Sequence, residues 1–285
     1  MNKIHIFGIP SSAGALFKGT EWSPYAIREA GLMDRLVEAG WKVEDFGNIV
    51  SSDEMLRHNV GPVRNWPSPR MIWEATVNQT ETLFSNDAFT MILGGDCSIE
   101  VGTFTAFKKT YGENSHLLVV DGHVDTVHPR GDACIGAAGM GLWFLTQDKK
   151  VWWTEEPTPP QSISIIGPHT LSENDCGINI LPLAELKHEG IVGKIKSHLA
   201  SIPSDNKILV HLDVDVLHES IMPSAYSPSQ TGLNRNEALE LFNNIFSDPR
   251  VKGIEVTEFS AQKDDNGESA KMIVDLLSLV KMNQA

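Results

Sequence analysis

Leu117-Leu118-Val119-Val120-Asp121-Gly122-His123-Val124-Asp125 is an apolar run that gives way, within five residues, to two acids and an imidazole. The run is almost continuously apolar, as expected of a strand covered on both faces. Alternate residues of an extended chain share a side, so Asp121, His123 and Asp125 are expected to face together. Three such groups at a strand end form a metal-binding geometry. The competing reading is a solvated turn whose aspartates cap a following helix.

The same arrangement recurs twice. Met91-Ile92-Leu93 runs into Gly94-Gly95-Asp96-Cys97-Ser98, and Ile208-Leu209-Val210-His211-Leu212 runs into Asp213-Val214-Asp215. Asp213 and Asp215, two apart, are expected to face the same way, with a pair of surface aspartates as the alternative. The glycines let the backbone approach a ligand closely. The turn lacks the lysine of a phosphate-binding loop, and a buried structural cysteine is the simplest reading of Cys97 by spacing alone. Four carboxylates crowded into one cleft repel unless a cation neutralises them, so a two-metal site that activates water leads the readings.

Six apolar, β-rich runs are legible: 3–9, 89–93, 117–121, 162–167, 208–213 and 253–259. Helical patterns alternate with them. Ser23-Pro24 predicts an N-cap and a first-position proline opening a helix over 25–39. Asn234 with Glu237 predicts a capping box, and 270–280 reads as an amphipathic helix. The stretches 66–70 and 150–161 read as loops. Repeated strand–helix alternation predicts a three-layer α/β fold with a mostly parallel sheet, whose ligands bind beyond the carboxyl ends of the strands. The acidic clusters fall at those ends. One domain over 1–285 is expected.

Composition narrows the function classes. A net charge of −14 with no basic stripe argues against a nucleic-acid or anionic-membrane partner. The three cysteines are too few and scattered for a disulfide framework, and a reducing cytoplasm is the expected compartment. No apolar leader pattern and no window of eighteen apolar residues is seen.

In order and spacing these motifs resemble the arginase (ureohydrolase) family. The stretch Gly19-Thr20-Glu21-Trp22-Ser23-Pro24-Tyr25-Ala26-Ile27-Arg28-Glu29-Ala30-Gly31-Leu32 is similar to the family's G-x-E-x-G-P-x-x-I-R-E-A-G-L. The glycine–aspartate turn, D-x-H-x-D, D-x-D and the glutamate at Glu258 follow. The resemblance implies an eight-stranded sheet with helices on both faces. It also implies two Mn2+ ions per chain and hydrolysis of a small guanidino substrate. By the same resemblance Asp121 and Asp213 bridge the metals, Asp125 and Cys97 complete one shell, and His123 and Asp215 complete the other. Glu258 holds the guanidinium, and Glu258, Asp125 and His128 are the catalytic candidates. A homo-oligomer, trimer or hexamer, is implied as well.

Several positions depart from the family pattern. Cys97 stands where histidine is usual, and its softer sulfur opens the site to iron, cobalt or zinc. In this the chain is similar to a subgroup, the N-omega-hydroxy-L-arginine amidinohydrolases of D-cycloserine biosynthesis, which release hydroxyurea. Ala138 stands where arginases have a proton-transfer histidine, with His128 or His218 as substitutes. The loop after Asp125 lacks the family's asparagine, with Val127 near that position, and 168–175 replaces the aspartate-rich segment that holds the amino-acid end. Tyr226 is a pocket candidate. Two other readings remain at this point: an arginase-fold binding or regulatory protein with a weakened metal site, and a metal-dependent deacylase.

Overall fold

In the computed structural model, residues 2–49, 56–147, 150–169 and 176–282 are described. Eight strands run through it: β1 (Lys3–Gly8), β2 (Lys42–Asn48), β3 (Ala88–Leu93), β4 (Ser115–Val120), β5 (Ile163–Ile166), β6 (Asn179–Leu181), β7 (Lys207–Asp213) and β8 (Val251–Thr257). They form one sheet in the order β2-β1-β3-β8-β7-β4-β5-β6, and every pairing is parallel.

The continuous apolar runs are continuous because both faces are covered. In β4, Leu118 and Val120 join one core while Leu117 and Val119 join the other. The first core is closed by the helices Ser23–Glu29, Leu32–Glu38, Ile191–Ser201, Arg235–Ile245 and Glu268–Leu277. Helices Ser68–Val77, Glu100–Tyr111 and Gly141–Thr146 close the second. Fully burying each such Leu, Ile or Phe stabilises the fold by roughly 1.5–3 kcal/mol. The three-layer α/β fold expected from the sequence is the one observed.

Local chemistry refines the element ends. The helix expected over 25–39 is two helices, divided at Gly31, whose φ of 90° is a left-handed value costly for other residues. Ser23 and Pro24 are its first two positions, with Trp22 as the cap. The capping box at Asn234 and Glu237 is present with both bonds. The loop expected at 66–70 instead turns into a helix at Ser68. The two strands that carry no apolar run, β2 and β6, are the two edges of the sheet. Most side chains of β2 are exposed, and β6 has only three residues.

Candidate metal centre

The four central strands, β3, β8, β7 and β4, deliver the candidate residues from their carboxyl ends. After β3 the chain turns through Gly94 and Gly95. A Cβ on Gly95 would lie 2.0 Å from the Ser11 carbonyl oxygen, so only glycine lets this turn pack there. Asp96, fully buried, accepts from Ser98 N, Gly14 N, Ser98 Oγ and Ser11 Oγ. It is thereby occupied in tying the turn to the loop after β1, and it presents Cys97 at the start of the helix that follows.

The D-x-H-x-D group does not lie on an extended strand, as alternation along β4 would require. β4 ends at Val120, and the chain bends through Gly122 and His123 instead of remaining extended. Asp121 Oδ1 accepts from His123 N at 2.6 Å, and Asp125 has a φ of 49°. Asp213 likewise accepts from Asp215 N at 2.8 Å and caps the short turn Val214–Val216. Turn capping and convergence, posed as rivals, occur together: tight turns rather than the strand pleat gather the acids.

The outcome is a compact donor set. Asp121, His123, Asp213 and Asp215 each offer a ligand atom, all within 4.8 Å of one another. His123 Nδ1 lies 2.9 Å from Asp215 Oδ2, and Cys97 Sγ lies 3.0 Å from Asp213 Oδ2. A cavity of about 450 Å³ opens above them, lined by Cys97, His123, Asp125, Asp213, Asp215 and Glu258 among others. Glu258 follows β8 with a φ of 60°, strained for a glutamate, and its Oε1 accepts from Cys97 N at 2.7 Å. Its backbone carbonyl accepts from Tyr226 N, and Tyr226 lines the same cavity.

Crowding shows in the ionisation of these groups. Burial, then Asp215, pushes Asp121 up to about 7. Burial and neighbouring carboxylates also raise Asp125, Asp213 and Glu258. The bond to Asp215 holds His123 up at about 9. Burial, then Asp213, raises the Cys97 thiol. Among the described residues no lysine or arginine pairs with these acids; their recorded ion-pair partner is His123. Oxygen donors, an imidazole and a sulfur, mutually repelling and short of positive charge, are a donor set that fits divalent cations.

His128 is not brought to this set. It is exposed, its ring lies 5.5 Å from that of Trp143, and it is absent from the cavity lining. His218 is also elsewhere, with Nδ1 at 2.8 Å from Ser220 Oγ. Of the replaced segment 168–175, residues 170–175 lie outside the described residues. His169 stands beside the site, donating its backbone N–H to Gly122 O at 2.8 Å.

Two groups of residues escaped sequence reasoning. Arg64 is the one lysine or arginine among the described residues lining the cavity, and it comes from a loop with no motif. Beneath the floor, His211 lies fully buried between Glu255 and Glu100, with Nδ1 at 2.8 and 3.7 Å from their carboxylates. Burial pulls the imidazole down, but Glu100 and Glu255 outweigh it and push it up to about 9. Burial pushes Glu100 up to about 8. An ionisable residue two before Asp213, on a strand otherwise apolar, was the available signal.

Comparison with known proteins agrees with this architecture. The family model described as "Arginase family" matches residues 2–281. An arginase of Staphylococcus aureus (strain MRSA252) is 28% identical over 291 residues, covering 96% of this chain and 95% of the relative. The arginase structure from Bacillus caldovelox superposes with a TM-score of 0.86 at 22% identity, covering 100% of both chains. That of Entamoeba histolytica arginase, solved with L-ornithine, gives 0.88 at 16% identity over 98% of each. The chain belongs to the arginase family, and it is a metal-dependent ureohydrolase.

Proposed function

We propose that this enzyme is a binuclear-metal amidinohydrolase that cleaves the guanidino C–N bond of arginine, N-hydroxyarginine or a related guanidine, releasing urea or hydroxyurea and an amine. The observation that carries this reading is the convergence of Asp121, His123, Asp213 and Asp215 beneath a cavity walled by Glu258. Cys97, Asp121, His123, Asp125, Asp213 and Asp215 would hold the two cations. Such a pair of cations, when bound, supplies Lewis acidity that makes water nucleophilic at neutral pH.

The protein's own groups do the rest. Glu258, buried and fixed by the Cys97 N–H, can pair with a planar guanidinium and hold its carbon over the floor. Asp125, which lines the same cavity, would hold a proton between water and the departing amine. Arg64 supplies the opposite charge to the same cavity. Its Nε donates to Asn59 Oδ1 at 2.7 Å and one Nη to Cys134 O at 3.0 Å, which fixes the guanidinium and leaves further N–H groups for a substrate carboxylate.

Manganese suits the oxygen and nitrogen donors, and Cys97 pulls preference toward softer ions. Cys97 also supports the hydroxyguanidine as the preferred substrate, by likeness to the subgroup that shares it. Metal analysis after manganese, cobalt or zinc loading, with urea and hydroxyurea assayed across arginine, N-hydroxyarginine and agmatine, tests the whole reading. Two equivalents of metal with no product from any guanidine would overturn it. Cys97→His is expected to tighten manganese binding and shift turnover from hydroxyguanidine toward guanidine; if neither moves, Cys97 is not a ligand.

A further inference from the structure

We propose that Thr257 is the positioning residue for Cys97, and that His211, anchored by Glu255, holds the Thr257 hydroxyl in place to orient the sulfur toward a bound cation. The inference rests on the reading of Cys97 as a metal ligand. A chain of contacts runs under the floor. Cys97 Sγ lies 3.2 Å from Thr257 Oγ1, and Thr257 Oγ1 lies 3.2 Å from His211 Nε2. His211 Nδ1 lies 2.8 Å from Glu255 Oε1, and Glu255 Oε2 accepts from Thr103 Oγ1 at 2.6 Å. Cys97 is 1% exposed, and Thr257, His211, Glu255 and Thr103 are each 0% exposed. With both ring nitrogens engaged, the imidazole cannot turn without breaking a buried bond.

The hydrogen inventory gives Thr257 its role. Its hydroxyl has one proton, and at 3.1 Å the Leu212 carbonyl, which can only accept, takes it. Cys97 meanwhile donates its S–H to Asp213 Oδ2. As a ligand to a cation, the sulfur would face its neighbours as a hydrogen-bond acceptor. Thr257 is the hydroxyl already at hydrogen-bonding distance, so its proton can turn from the Leu212 carbonyl to the sulfur without moving a heavy atom. Outer partners of this kind fix a ligand's direction, and losing one typically costs about 10–100-fold in metal affinity.

The test is cobalt titration of the full chain, reading both dissociation constant and the near-ultraviolet sulfur-to-cobalt charge-transfer band. Wild type and Thr257→Ser are expected to share band and affinity. Thr257→Val, the same shape without the hydroxyl, is expected to lose about 10–100-fold in affinity and to shift or weaken the band. His211→Gln, read the same way, should move in the same direction and serves if the valine variant does not fold. Wild-type band and affinity in Thr257→Val or His211→Gln would overturn the positioning role while leaving Cys97 a ligand. No band in wild type, or a band that survives Cys97→Ser, would remove Cys97 from the metal set and the inference with it.

Discussion

The floor and the rim of the cavity are built on different principles. The floor comes from four adjacent strand ends, β3, β8, β7 and β4, each packed in the sheet centre. The rim comes from loops: Gly14 to Leu16, Arg64, Thr126 to Val127, Ile135 to Gly136 and Tyr226 to Ser227. Strand ends hold their groups rigidly and permit little substitution, which suits holding cations. Loops can change while the sheet stays the same. On the proposed function, the floor sets the reaction class and, through Cys97, the preference between guanidine and hydroxyguanidine, while the rim selects the rest of the substrate.

The floor is where the largest effect is expected. Asp213→Asn removes a carboxylate that meets Cys97, Asp215 and the proposed cations at once. Changes one shell further out typically cost about 10–100-fold, so loss of this group should exceed about 100-fold in activity, with metal content falling in parallel. Full metal and activity in Asp213→Asn would erase the distinction between floor and rim. Glu258→Gln comes next. It removes the charge that pairs with a guanidinium, a bond type worth about 1.5–3 kcal/mol, so turnover should fall about tenfold or more while metal content is kept.

The rim should respond by substrate rather than uniformly. Arg64→Gln is expected to raise KM about tenfold for guanidines bearing a carboxylate, and to leave agmatine, which lacks one, nearly unchanged. Equal changes for both substrates would mean that Arg64 only braces its loop through Asn59 and Cys134. His128→Ala provides the contrast. Its side chain packs by Trp143 outside the cavity lining, and kcat/KM should stay within about twofold. A hundredfold fall would return His128 to proton transfer and move the catalytic boundary outward.

The same division governs what could be read from sequence. Floor residues announce themselves because a run such as Leu117 to Val120, apolar on both faces, has no reason to run into two acids and an imidazole. Even there the cause was misassigned: Asp125 reaches the site through a left-handed backbone value, not through alternation along a strand. Rim residues carry no such contrast. Arg64 sits in a loop where a charged residue is ordinary, and only the fold brings it across the sheet to the acids. The edge strands β2 and β6 were illegible for a related reason: with little buried surface they need no apolar pattern. His211 and Glu255 were hidden in otherwise apolar strands, where a polar residue reads as noise until its partner is seen.

The floor also differs from the opposite end of its own strand. β4 carries His116 near its amino end, and Asp121 follows its carboxyl end. Burial, then His198, pulls His116 down to about 3. Its folded value lies below the unfolded value near 6.5, so its contribution is present above 6.5 and is lost as pH falls toward 3. Asp121 runs the other way. Its metal-free value of about 7 lies above the unfolded 3.8, so its contribution is present below 3.8 and is lost as pH rises through 7. Between 3.8 and 6.5 the two slopes offset each other, so these two groups leave metal-free protein on a plateau that falls above about 6.5 as Asp121 ionises and below about 3.8 as His116 is forced to charge. Divalent metal should restore the neutral side, where it neutralises the floor, and leave the acid side intact. His116→Gln should do the reverse, flattening the acid side by on the order of 2 kcal/mol at pH 5. Urea unfolding in chelator and in manganese, from pH 3 to 8, measures both limbs. Stability that metal raises equally at pH 5 and pH 8 would show that crowded carboxylates at the floor are not what the cation relieves.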